Sequence, residues 1–226
     1  MSKNVKSWLK IELHPPVSES IPGVWLRIWW MFAAMLLLPT GLGYCGCSGV
    51  AAVILAGLCG LSAGIMPLRL TGLRLMSWRD IGASFAVAAI IILISAAATA
   101  VWKIVLNIFH IEFPEKQQLA VLISDLSGFE LLTLFIALCI VSPLLEELLF
   151  RRMIYEKWYE LHANTAFVGT ALLFSVIHVF LAGIPGLFIL GCGFQYIYLR
   201  QKNLCCAVLT HSLVNICAFA VNCISF

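Results

Sequence analysis

Glu146-Glu147-Leu148-Leu149-Phe150-Arg151 sets two adjacent carboxylates and an arginine inside sequence as apolar as a bilayer interior. An ionisable side chain in hydrocarbon costs about 2.5–3.5 kcal/mol even on the gentlest scales, so such a residue marks a functional site. Two side by side predict a membrane helix that carries chemistry.

Composition around this stretch agrees. Of 226 residues 62% are hydrophobic and 11% charged, with a mean hydropathy of +1.01, against about 25% charged residues in an average soluble domain. The chain reads as one all-α membrane domain over 1–226, a polytopic helix bundle divided into spans of about 20 apolar residues. The N-terminal segment, with Lys3, Lys6, Lys10, Glu12 and Pro15-Pro16, is too polar and interrupted to form the apolar core of a secretory signal, and no cleavage is expected. The first apolar run goes from Ile28 to Pro67, enough for two spans joined at Gly41 to Gly49. Further spans are expected at 81–102, 131–150, 163–181, 185–199 and 204–224, making about seven transmembrane helices.

Lys and Arg set the orientation. The N-terminal segment (Lys3, Lys6, Lys10, Arg27) and the second-to-third (Arg69, Arg74, Arg79), fourth-to-fifth (Arg151, Arg152, Lys157) and sixth-to-seventh (Arg200, Lys202) connections hold twelve of the fourteen basic residues. The remaining connections hold Lys103 and Lys116, and the longest is acidic, with Glu112, Glu115, Asp125 and Glu130. The N-terminus is therefore expected in the cytoplasm and the C-terminus outside. This topology accounts for the net charge of +3, which argues for no nucleic-acid partner; the partner is the lipid bilayer. The nine cysteines lie mostly in apolar runs without a Cys-x-x-Cys pair and read as small core hydrophobes.

The remaining polar groups cluster in the second half: Phe174-x-x-x-His178 in the fifth span and His211-x-x-x-Asn215 in the seventh. A lone histidine in a span is more often an interhelical hydrogen-bonding residue than a catalyst. The set is another matter. Glu147 and Arg151, four apart, lie within about 40° of each other on a helix and can pair, while Glu146 points about 100° away. One carboxylate can thus be neutralised by the arginine and the other left free to take a proton. His211 and Asn215 share a face, which suits two donors aimed at one oxygen. A general base, a histidine beside its water and a donor pair for an oxyanion are the parts that hydrolyse an amide without a protein nucleophile. Ser142 and Ser175 lack a neighbouring base and read as packing residues.

The pattern resembles the CAAX protease and bacteriocin-processing family of intramembrane proteases, which includes the Ras-converting CAAX endopeptidases. The family's Glu-Glu-x-x-x-Arg, Phe-x-x-x-His and His-x-x-x-Asn motifs all occur here, in order, with 32 residues from Glu146 to His178 and 33 from there to His211. The resemblance covers a core over 130–222. It implies an endopeptidase in which Glu146 and His178 activate water, His211 and Asn215 stabilise the oxyanion, Glu147 and Arg151 support the site and Phe174 packs beside it. It implies a peptide or membrane-protein substrate and is favoured without a cofactor; zinc, held by Glu146, His178 and His211, is the alternative, although the His-Glu-x-x-His helix of common zinc peptidases is missing. The plasma membrane of a prokaryote is the expected location. A bacteriocin-immunity or scaffold protein, in which the Glu pair would tolerate substitution, and a proton or ion transporter are the rival classes.

Depth is the open point. At about 1.5 Å per residue, Glu146 falls near the cytoplasmic end of span four, His211 about 10 Å in from that side and His178 near the outer end of span five. Either the fourth helix runs on through Tyr155 to Trp158, or spans four and five are tilted and their ends lie elsewhere.

Overall fold

The computed structural model describes residues 74–113 and 128–224, with Trp30, Ile123 and Leu126 besides; the first two expected spans and the N-terminal basic residues lie outside the described residues. Everything regular among the described residues is helical. Helix α1 is Trp78–Ile108, α2 Gly128–Ile136, α3 Ser142–Glu147, α4 Glu156–Ile177, α5 Ile184–Gln201 and α6 Leu204–Ile224. Four continuous stretches are long and apolar enough to cross a membrane: Trp78–Ile108, Gly128–Ile177, Leu181–Gln201 and Leu204–Ile224.

Span four does not end at Phe150, which corrects the expectation. A π-helical turn at Ala137–Val141, α3, and a π-helix at Leu148–Tyr155 join α2 to α4 without a break. The chain folds back only at His162, whose φ of −145° and ψ of 72° leave the helical region. The first of the two alternatives for the depth problem therefore holds. Arg151 and Arg152, expected in a connection, are buried inside the helix, and Leu148–Tyr155 is stable there because each arginine pairs four residues away, with Glu147 and with Glu156.

The first turn of α3 explains the first π register. Pro143 has no N–H and its ring crowds the carbonyl four residues back. The helix widens instead, and the Ser142 N–H donates to Ala137 O rather than to Leu138 O. Leu138 O is then stranded, since the next N–H in register would be that of Pro143.

Around the His162 bend the two arms pack as a hairpin. Phe150 and Phe174, each twelve residues from His162, meet edge to face at 5.2 Å. Glu146 and His178, each sixteen residues from it, reach 3.8 Å. Trp158 lies over Gly169, where a Cβ would come within 2.4 Å of the indole.

Helix α5 sits centrally against α1, α4 and α6. Gly191 permits this on one side: a Cβ there would stand 3.2 Å from the Ala171 backbone of α4. At one end of the bundle, Arg74 pairs with Asp80 of the Ser77 capping box and donates to Gln201 O at 3.2 Å, while Asn203 Nδ2 donates to Arg74 O at 3.1 Å. At the other end, Trp102 Nε1 donates to Leu181 O at 3.0 Å, fixing α1 to the turn before α5.

Candidate active site

The hairpin and α6 bring Glu146, His178, His211 and Asn215 to one cavity of about 540 Å³, otherwise walled largely by apolar groups including Leu138, Phe174, Leu187, Leu190, Phe194 and Phe219. Glu147 and Arg151 lie directly beneath, both fully buried. The seven residues singled out by spacing are thus close neighbours.

The two carboxylates differ as their spacing suggests. Glu147 Oε2 accepts from Arg151 Nε at 2.8 Å, and its Oε1 is 2.8 Å from His211 Nδ1. Arg151 also sits among the rings of Phe150, Phe174 and Phe194, 5.5–5.9 Å from their centroids, where a cation meets the negative faces of the rings, and donates to Gln195 Oε1 at 3.4 Å. Among the described residues Glu146 has neither an Arg or Lys partner nor a backbone donor. Its Oε1 accepts from Ser142 Oγ at 2.5 Å, which corrects the reading of Ser142 as a packing residue. Among the described residues its buried Oε2 has no hydrogen-bond partner; His178 Nε2 lies 3.8 Å and His211 Nε2 3.9 Å from it.

The partners of the histidines assign their tautomers. His178 Nδ1 lies 2.7 Å from Phe174 O, and a carbonyl can only accept, so Nδ1 carries the proton. His211 Nδ1 faces the Arg151-paired carboxylate of Glu147 and donates to it by the same logic. In its neutral form each ring therefore turns an Nε2 lone pair toward Glu146 Oε2. Three acceptors converging without a donor between them form a site for a molecule that brings protons. Phe194 stacks on His211 at 4.3 Å with 13° between the planes, so the ring can neither tilt nor flip without breaking two contacts.

Asn215 is more committed than its expected role implies. Its Nδ2 donates at 2.8 Å to Leu138 O, the carbonyl stranded by Pro143, leaving the second N–H of that amide for the cavity.

Zinc can be tested against the same atoms. Two imidazoles with their Nδ1 positions tied off and one carboxylate are a chemically suitable donor set. Bonds of about 2.0–2.1 Å in a tetrahedral site would put ligand atoms about 3.4 Å apart, so the set must close by about 0.5 Å from the observed separations. Among the described residues no group of three or more His, Cys, Asp or Glu side chains is gathered for an ion.

Gln195 and Phe194 went unnamed in the sequence, and Ser142 was named only to be read as packing. Ser142 lies four residues before Glu146 and shares its face, a usable signal. Gln195 is a fully buried amide in an apolar span, which alone marks it as polar and internal. Phe194 offers no signal, since it is one aromatic among many.

The helical hairpin and the last helix set one carboxylate and two imidazoles over a buried ion pair in an apolar cavity. Residues 128–217 match the family described as type II CAAX prenyl endopeptidase Rce1-like. The chain is 31% identical over 78 residues to the Bacillus subtilis (strain 168) protein named "Putative membrane peptidase YdiL"; the match spans 34% of this chain and 32% of that protein. No solved structure matches.

Proposed function

We propose that this chain is an intramembrane endopeptidase that cuts a peptide bond with water activated by Glu146. The observation that carries this reading is the buried, unpartnered Oε2 of Glu146 facing two histidine Nε2 atoms in an apolar cavity. A buried carboxylate oxygen without a partner destabilises a fold, and a protein that only binds or scaffolds gains nothing from keeping one.

Water bound at Oε2 gives its proton to Glu146 as its oxygen attacks the scissile carbonyl carbon. The second N–H of Asn215 donates to the oxyanion. His211, held at Nδ1 by Glu147, sets its Nε2 beside the reacting oxygens. Collapse breaks the C–N bond, and the proton held by Glu146 passes to the leaving amine, with His178 positioned to share it. No metal takes part in this scheme; zinc, if bound, would be held by Glu146, His178 and His211 and would polarise the carbonyl.

Glu146→Gln keeps the shape and the Ser142 contact but removes the proton acceptor. Cleavage of a fluorogenic peptide library by the purified protein should fall by about 10²- to 10⁴-fold, with membrane insertion unchanged. Exhaustive chelation should leave the wild-type rate intact. Near-normal cleavage by the variant overturns the base assignment; loss of activity on chelation, restored by stoichiometric zinc, replaces the metal-free scheme.

A further inference from the structure

We propose that the cavity opens on the membrane face away from the cytoplasm, so that the substrates are peptide segments presented on that face. The substrate part rests on the peptidase reading above; the sidedness does not.

The two ends of the bundle differ sharply in charge. One end gathers the start of α1, the His162 bend and the α5–α6 turn, tied together by Arg74, Gln201 and Asn203. Arg74, Arg79, Arg200 and Lys202 are exposed there, with Lys157 half-buried near the bend. The other end gathers the end of α1, the turn at 178–183, the start of α2 and the end of α6. Its basic residues in the sequence are Lys103, one and a half turns inside α1, and Lys116, in a connection that also holds Glu112, Glu115 and Asp125. Short loops rich in Lys and Arg stay in the cytoplasm, and acidic residues weigh little in that choice. The Arg74 end is thus the cytoplasmic one.

The cavity belongs to the opposite end. Its rim is Glu112 and Phe113 beyond α1 and Val179, Phe180 and Leu181 before α5. Toward the basic end the way is blocked by Phe150, Arg151, Tyr155 and Phe194, none more than 1% exposed. Glu146 can therefore be reached from the Glu112 side, and a cytoplasmic peptide would have to cross the bilayer to meet it.

Two variants, each adding one cysteine to the full chain, read the sidedness directly. Glu112→Cys marks the cavity rim and Leu75→Cys, at a position 98% exposed, the basic end. The tryptic fragments 104–116 and 75–79 contain no native cysteine, so labelling at each site can be weighed by mass. A membrane-impermeant sulfonated maleimide added to intact cells should modify residue 112 and spare residue 75 until the membrane is opened; inside-out vesicles should show the reverse. Modification of residue 75 but not 112 in intact cells, or of both alike, overturns the proposal. A fluorogenic peptide library added outside sealed proteoliposomes should be cut only by molecules whose residue 112 faces outward. Peptide cut by the opposite orientation overturns the sidedness while the peptidase reading stands. Absence of any cutting, with the labels as expected, overturns the peptidase reading and the substrate class with it, while the sidedness stands.

Discussion

The neighbouring carboxylates Glu146 and Glu147 have opposite surroundings. Glu147 is held by a guanidinium and an imidazole, whereas Glu146 keeps one oxygen on a hydroxyl and the other buried without a hydrogen-bond partner among the described residues. The Ser142 hydrogen bond aims that oxygen. Hydrogen bonds to charged groups contribute about 1.5–3 kcal/mol, so Ser142→Ala should slow turnover by about 10- to 100-fold, with the thermal unfolding midpoint in detergent little changed. An unaltered rate would show that the carboxylate needs no aiming. The ion pair calls for a double-mutant cycle. Glu147→Gln or Arg151→Met alone leaves a buried charge uncompensated, at about 3–5 kcal/mol. Combined, they should recover much of that stability, the more so because a thioether suits the ring cage of Phe150, Phe174 and Phe194. Glu146→Gln should give Arg151→Met no such rescue, and equal rescue by both would reverse the roles of the two carboxylates. Helical spacing made this pairing legible before any coordinates. The hold of Glu147 on His211 was not, because it joins residues 64 apart on different helices and depends on side-chain direction.

At the level of elements, the π turn before α3 ties backbone to site. Pro143 strands Leu138 O and Asn215 satisfies it, so Asn215→Ala should cost about 1–3 kcal/mol of stability as well as rate. Pro143→Ala restores an N–H that the Leu138 carbonyl can use. The double variant should regain stability without regaining turnover, since the oxyanion donor is still missing; unfolding and initial rate measured on the same samples separate the two roles. Recovery of turnover would mean that Asn215 acts only as a brace. The proline and the asparagine are plain in the sequence, but their connection is not: helical periodicity takes a register of 3.6 for granted, and the local widening to a π turn moves the donors by one residue. The same widening, with the buried arginine pairs, carries the fourth span past its expected end at Phe150.

For the whole molecule, the hairpin about His162 sets the depth of the site. Equal arms of sixteen residues place Glu146 and His178 at one level, and Phe150 opposite Phe174 confirms the register one turn nearer the bend. One alanine inserted after Val168 would turn His178 by about 100° and shift it about 1.5 Å, which should abolish cleavage while leaving the apolar span intact. One residue inserted between Leu161 and Asn164, at the bend, should be tolerated. Equal losses from both insertions, read as initial rates on protein that inserts normally, would show that the arms are not in rigid register. The sequence supplied the third, fifth, sixth and seventh spans nearly at their observed places and missed only the far end of the fourth, because long apolar runs are a strong signal. It could not supply the bend angle or the tilt, which come from contacts between elements.

The ring-and-arginine floor beneath Glu146 also bears on the electrical life of the membrane. A dry, closely packed floor over a buried ion pair leaves no water-filled path for protons and other cations, and each elementary charge moved through 100 mV is worth about 2.3 kcal/mol. If the proton taken from water and the one given to the leaving amine use the same opening, as the proposed cycle has it, no net charge crosses the bilayer. Turnover should then be indifferent to the membrane potential, and a cell can keep such a water-accessible centre in its energised membrane without draining its ion gradients.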